Sequence, residues 1–264
     1  MRAIPSLSAL RDLRRTVAEI GRDHFIETGD RSLRFGLDPV DDVLGGGLAF
    51  GALHELAPSA PVHMGATTGF ALALAAGAGS STNKQILWIH SAFASSESGH
   101  LYGPGFETFG LACEHFVILQ VSRAIDALWA MEEALKCRAV ASVITELTGD
   151  GRAADLTATR RLALAAREGG GLGLLLRHQT SAVPSTASTR WAVASAPSTP
   201  DRFGGFGPLS FDLSLLRNRR GPRGRWMLSW DQHEHAFTFP TLPRAVAAAD
   251  SDGSHRTWPL ARTG

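Results

Sequence analysis

"FGLDPVDDVLGGGLAFGALHEL", residues 35–56, decides the fold of this 264-residue chain. An acidic-apolar turn runs into Gly45-Gly46-Gly47 and Gly51, then into a short strand, "ALHEL" (52–56), that carries Glu55. The chain continues through "APVHMGAT" (60–67) into "ATTGFALALAAG" (66–77), which reads as a helix. A strand, a tight connection and a helix form the opening half of a βαβ unit.

The alternation repeats downstream. Strands are predicted at 85–92, 116–121, 140–145 and 172–178, with helices at 122–137 and 153–169 and a short helix at 106–112. Near-continuous apolar strands alternating with helices imply a parallel sheet covered on both faces. After a polar loop at 179–188 the pattern changes. Strands at 189–195, 211–219 and 225–232 have no crossover helix between them, and "RGPRG" joins the last two as a hairpin. The fold class is therefore α/β, a mostly parallel sheet flanked by helices with antiparallel strands at its C-terminal edge.

Both ends differ from this core. Residues 6–22 read as an amphipathic helix with Leu7, Leu10, Leu13, Val17 and Ile20 on one stripe. The stripe either packs back on its own domain or docks a partner, with Leu10, Leu13 and Val17 as the contact residues. Residues 23–33 read as a linker. Residues 241–264 read as a flexible tail in which Trp258 and Leu260 form a short linear motif. The division is thus 1–33, 34–240 and 241–264.

Composition narrows the function classes. The chain is 44% hydrophobic and 19% charged, with a net charge of +1. No bulk field marks a nucleic-acid or membrane binder. No apolar run reaches the roughly 18 residues of a membrane span, and a cytoplasmic location is expected. Cys113 and Cys137 have no metal-ligand spacing and read as structural thiols. His233 and His235 lack a third ligand, so no metal is expected.

The 35–56 segment, the acidic strand end "SVITEL", the apolar strand ending Arg177-His178-Gln179 and the late hairpin occur in the order found in RecA-like recombinases. The resemblance covers roughly 34–239. Within that group "HEL…TGFALALA" and "LLRNRRGPRGRW" are most similar to the ImuA family, the RecA-like partners encoded beside a Y-family polymerase homologue in bacterial SOS mutagenesis cassettes. SulA-type cell-division inhibitors are more distant relatives. The resemblance implies a role in SOS-induced translesion synthesis. It implies as partners a polymerase homologue of the ImuB type, RecA, and indirectly the error-prone replicative-type polymerase. Self-association fits the same fold.

That fold puts a phosphate-binding loop, G-x-x-x-x-G-K-[ST], between the 52–56 strand and the next helix. Such a loop aims successive backbone N–H groups at a phosphate and neutralises it with one lysine. Here Gly65, Ala66, Thr67 and Thr68 occupy its end, so Ala66 stands at the lysine position. Pro58 and Pro61 have no N–H to donate, and Ala60 replaces the first glycine. Losing one charged hydrogen bond alone removes about 1.5–3 kcal/mol. The water-activating glutamate of the family would fall near Ser91-Ala92, and Glu97 substitutes only if its loop folds back. Glu146 matches the magnesium-orienting acid. These residues lead us to expect a degenerate site with no cofactor and no ATP turnover, hence a non-catalytic adaptor. The alternatives are a DNA-stimulated ATPase and a SulA-like inhibitor of cell division.

Arg217, Arg219, Arg220, Arg223 and Arg225 crowd into nine residues of the hairpin. Arg217, Arg219, Arg223 and Arg225 are expected to share one basic edge, serving DNA, an acidic partner, or simply a solvated sheet edge. The connections matching the recombinase DNA loops, 148–155 and 179–188, carry almost no charge apart from Arg152, which leaves DNA binding without strong support.

Overall fold

The computed structural model describes residues 31–79, 84–91, 101–148, 153–180, 183–200 and 205–240. The N-terminal helix with Leu10, Leu13 and Val17, the tail with Trp258 and Leu260, and Ala92, Glu97 and Arg152 lie outside the described residues.

Strand β1 (Ser32–Leu33) pairs antiparallel with β2 (Leu48–Ala49). The segment expected to be linker, 23–33, therefore carries a strand at its end. Helix α1 (Asp38–Leu44) lies between them, where the sequence suggested only a turn. It is seven residues long, with Pro39 in its first turn, and ends at Gly45, whose φ of 70° is left-handed. Asp41 is buried and accepts the N–H groups of Phe35 (2.8 Å) and Gly36 (3.0 Å), which fixes the entry to the helix. Gly47 has a φ of 116°, and a Cβ there would collide with the Leu33 carbonyl.

The main sheet contains β3 (Ala52–Pro58), β4 (Gln85–Ser91), β5 (Phe116–Val121), β6 (Val140–Leu147), β7 (Leu172–Arg177), β8 (Thr189–Ser195), β9 (Ser210–Asn218), β10 (Gly224–Asp231) and β11 (Ala236–Thr238). Their order is β11-β10-β9-β8-β3-β7-β6-β4-β5. Every pair from β8 to β5 is parallel, and β9, β10 and β11 continue antiparallel. The expected sheet is present. Strand β8 is parallel to β3, although no helix precedes it.

Helix α2 (Met64–Gly79) covers one face of this sheet, and α3 (Ala124–Lys136) and α4 (Leu156–Gly169) cover the other. The period of two sorts the strand residues between them. Trp88, Ile144, Leu174 and Leu176 join α2, whereas Ile89, Val143 and Leu175 join α3 and α4. Phe35, Phe70, Trp191, Phe211 and Phe237 fill the α2 side with ring contacts. Trp230 is buried there too, while Trp226 is half-buried with its ring 6.0 Å from Trp191. Asp155 caps α4 by accepting the Ala158 N–H at 2.8 Å.

Three expectations fail. The 106–112 helix is a 3-10 turn over Gly103–Phe109. Strand β5 is not buried on both faces: it is the outermost strand, and Val117 (47%), Ile118 (47%) and Leu119 (38%) are exposed. Helix α3, which touches β5, exposes Ile125 and Trp129. Both cysteines are free and exposed rather than built into the core.

Candidate functional site

In a parallel α/β sheet a ligand site forms where the strands end and the helices begin. Here that region is built from the C-terminal ends of β3, β4, β6 and β7. The connection from β3 to α2 is a 3-10 turn, Pro61–His63, running directly into Met64. Ala60 is extended, with φ −149° and ψ 156°, so it does not adopt the positive φ that a glycine would supply. The Ser59 N–H is donated to Val193 O (2.8 Å) and the His63 N–H to Ala60 O (2.9 Å). His63 Nδ1 accepts from the Ser195 N–H (3.3 Å) and the Ser195 hydroxyl (2.9 Å), pinning the turn to β8.

Gly65, Ala66, Thr67 and Thr68 all lie in the first turns of α2. Thr67, at the position that would meet a metal ion, is buried and its hydroxyl donates back to His63 O at 3.0 Å. On β6, Glu146 accepts from His178 Nε2 at 2.8 Å. Ser91, at the end of β4, lies 3.3 Å from the Thr148 hydroxyl. The structure thus brings Glu146, Ser91 and the start of α2 to one end of the sheet.

A buried ion cluster that sequence reasoning did not assemble lies behind them. Glu55 is 1% exposed. Its Oε1 accepts from Arg177 Nη2 (2.8 Å) and Nε (3.2 Å), and its Oε2 from Arg190 Nε (2.7 Å). Register explains the meeting: Glu55 faces Arg190 directly across β3–β8, and Arg177 lies two residues beyond its β7 partner Leu175. Arg177 also donates to Ala154 O (2.9 Å), and Arg190 to Val183 O (2.9 Å). The two connections expected to match recombinase DNA loops are therefore tied to the sheet where they are described. The signal in sequence was three ionisable residues in otherwise apolar strands.

The hairpin arginines do not form one edge. Arg217 turns inward and donates to Ser185 O at 2.6 Å, and Arg225 pairs with Asp212, its Nε 2.8 Å from Oδ1. Arg219 and Arg220 instead line a cleft of about 990 Å³. The turn after β9 separates the two sets: of the five arginines, Arg217 and Arg225 lie within the paired strands β9 and β10. Arg223 lies in that turn, is exposed and does not line the cleft. Near the cleft His54 is fully buried. Its Nε2 donates to Ala49 O (3.0 Å), while Nδ1 accepts from the Thr189 hydroxyl (2.8 Å), whose oxygen receives Trp191 Nε1. Burial first, and the Arg220 charge as a smaller effect, lower its pKa from 6.5 to about 4. Among the described residues there is no group of three or more metal-ligating side chains, and no helix is long and apolar enough to cross a membrane.

No family model matches the chain. Two curated relatives, each described as Protein ImuA, come from two strains of Caulobacter vibrioides. Each is 29% identical over 229 residues, covering 80% of this chain and 89% of the relative. Among solved structures, the RadB recombinase superposes with a TM-score of 0.52 at 15% identity, covering 78% of this chain and 98% of that one. The likeness to RadB shows a RecA-like fold, and the alignments to the Caulobacter proteins support membership of the ImuA family.

Proposed function

We propose that this chain is a cytoplasmic, RecA-like adaptor in bacterial DNA-damage tolerance, acting in SOS-induced translesion synthesis. It binds a Y-family polymerase homologue of the ImuB type, and RecA, without turning over ATP. The observation that carries this reading is the β3–α2 connection. A phosphate-binding loop needs free amides converging on one point and a cation beside them. Here the Ser59 and His63 amides are used internally, Ala66 supplies no charge, and Thr67 is committed to its own helix. Glu146 is engaged by His178.

A partner surface is available elsewhere. An exposed apolar edge strand is a template for pairing with another chain unless it is covered. Strand β5 presents Val117, Ile118 and Leu119 in that position, with Ile125 and Trp129 on α3. Co-purification with a tagged polymerase homologue of the ImuB type from the same organism tests the reading. The intact chain is expected to be retained. An Ile118→Lys/Leu119→Lys protein should melt at the same temperature and be lost from the complex. Failure of the intact chain to retain the polymerase homologue would overturn the adaptor reading.

A further inference from the structure

The 990 Å³ cleft lies at the opposite end of the sheet from the β3–α2 turn. It opens at the N-terminal ends of the parallel strands, beside Gly51 and Ala52, and one flank of α4 forms its wall. Arg160 and Arg167 project from that helix, and Arg219 and Arg220 come from the hairpin turn. Arg31, Lys84 and Arg138 complete the ring from three further segments. No acidic side chain lines the cleft among the described residues, and within them none of these seven cations forms an ion pair. The neighbouring Arg161, by contrast, pairs with Glu132 at 2.6 Å. Burial and the Arg217 charge both push the Arg219 pKa below its ordinary value, so this guanidinium sits where an anion would relieve it.

Seven like charges around one concavity in a chain of net charge +1 focus a positive field there. Apolar contacts are built between them. Leu156 (51% exposed) and Leu164 (58% exposed) stand eight residues apart on α4, about 12 Å along the helix, with Arg160 midway. A bare phosphate chain would leave those leucines unused. Stacking of nucleobases needs open aromatic faces, and Arg31 already lies over the ring of Phe50, 4.5 Å from its centroid. Phe50 is the cleft's aromatic residue.

We infer that this cleft is a docking site for an acidic peptide segment of a protein partner, its carboxylates meeting Arg160, Arg167 and Arg219 and its leucine or phenylalanine side chains resting on Leu156 and Leu164. Guanidiniums suit carboxylates because their fork matches both oxygens. The site is separate from β5, so a single partner can engage both or two partners can engage one each.

A displayed library of random 12-residue peptides, selected on the intact chain, tests this. Counter-selection uses an Arg160→Ser/Arg219→Ser/Leu164→Ser protein checked for an unchanged melting temperature. The expected winners combine Asp or Glu with Leu or Phe, and synthetic copies should bind the variant about tenfold or more weakly. Their Leu→Ser versions should also lose binding. Winners without acidic residues, or winners that bind the variant equally well, would overturn the assignment. So would a single-stranded 20-mer oligonucleotide that binds the intact chain tightly, displaces the peptides and is weakened by the same substitutions. A cleft that fails these tests while β5 still holds the polymerase homologue would leave the adaptor reading intact.

Discussion

Glu55 shows how much one buried carboxylate organises. Its two oxygens bind Arg177 and Arg190, and those two arginines hold Ala154 and Val183 in place. Replacing Glu55 by Gln would remove the carboxylate that two guanidiniums, 4% and 16% exposed, share. Breaking a buried pair in this way costs about 3–5 kcal/mol. Urea unfolding of Glu55→Gln should show a loss in that range, and a loss under about 1 kcal/mol would mean that the cluster is well hydrated. His54 is the second residue with a measurable signature. Its pKa falls from 6.5 to about 4 in the fold. Between those two values the unfolded chain binds more protons than the native one, so stability is full above pH 6.5 and declines as pH falls toward 4. A shift of that size corresponds to roughly 3 kcal/mol once the pH is below both values. The melting temperature should therefore drop between pH 7 and 4.5, and His54→Gln should flatten that slope. An unchanged slope in the variant would assign the acid sensitivity to other groups.

At the scale of elements, the β1–α1–β2 unit depends on backbone geometry more than on side chains. Gly47 holds a positive φ under the Leu33 carbonyl. Gly47→Ala should destabilise the protein by about 1–3 kcal/mol through strain at that point, with the collision adding to it. A melting temperature equal to that of the parent would show that the unit rearranges freely. The same unit marks where sequence reading reached its limit. Helices α3 and α4 were legible because their apolar periods run for many residues, and β7 because it is an unbroken apolar run up to Arg177. Helix α1 has seven residues and β11 three, too short for a period to emerge. Strand β5 was read correctly as a strand and wrongly as buried. "FVILQV" is apolar enough for a sheet interior, and only the strand order places it at the edge. The Glu55 cluster was hidden for a related reason. Its members are 122 and 135 residues apart, and only the β7-β3-β8 order makes them neighbours. The five hairpin arginines were visible, but the inward turn of Arg217, the Arg225–Asp212 pair, the exposure of Arg223 and the placing of Arg219 and Arg220 at the cleft follow from where the turn falls.

The whole molecule separates two kinds of surface along one sheet. At the C-terminal ends of the strands, the β3–α2 turn, Glu146 and Ser91 are held by contacts within the protein. At the N-terminal ends, seven cations and two exposed leucines face an open cleft. Strand β5 closes neither end and offers its edge to solvent. Internal satisfaction where the resemblance to RecA-like recombinases implies a phosphate-binding loop, together with exposed apolar and cationic surface elsewhere, is the arrangement that the proposed adaptor reading requires. ATP turnover tests that claim most directly, measured on the purified chain with single-stranded DNA and the polymerase homologue both present. The account predicts a rate below about 0.01 per second, well under ordinary enzyme turnover. A higher rate that disappears in a Glu146→Gln protein would contradict it.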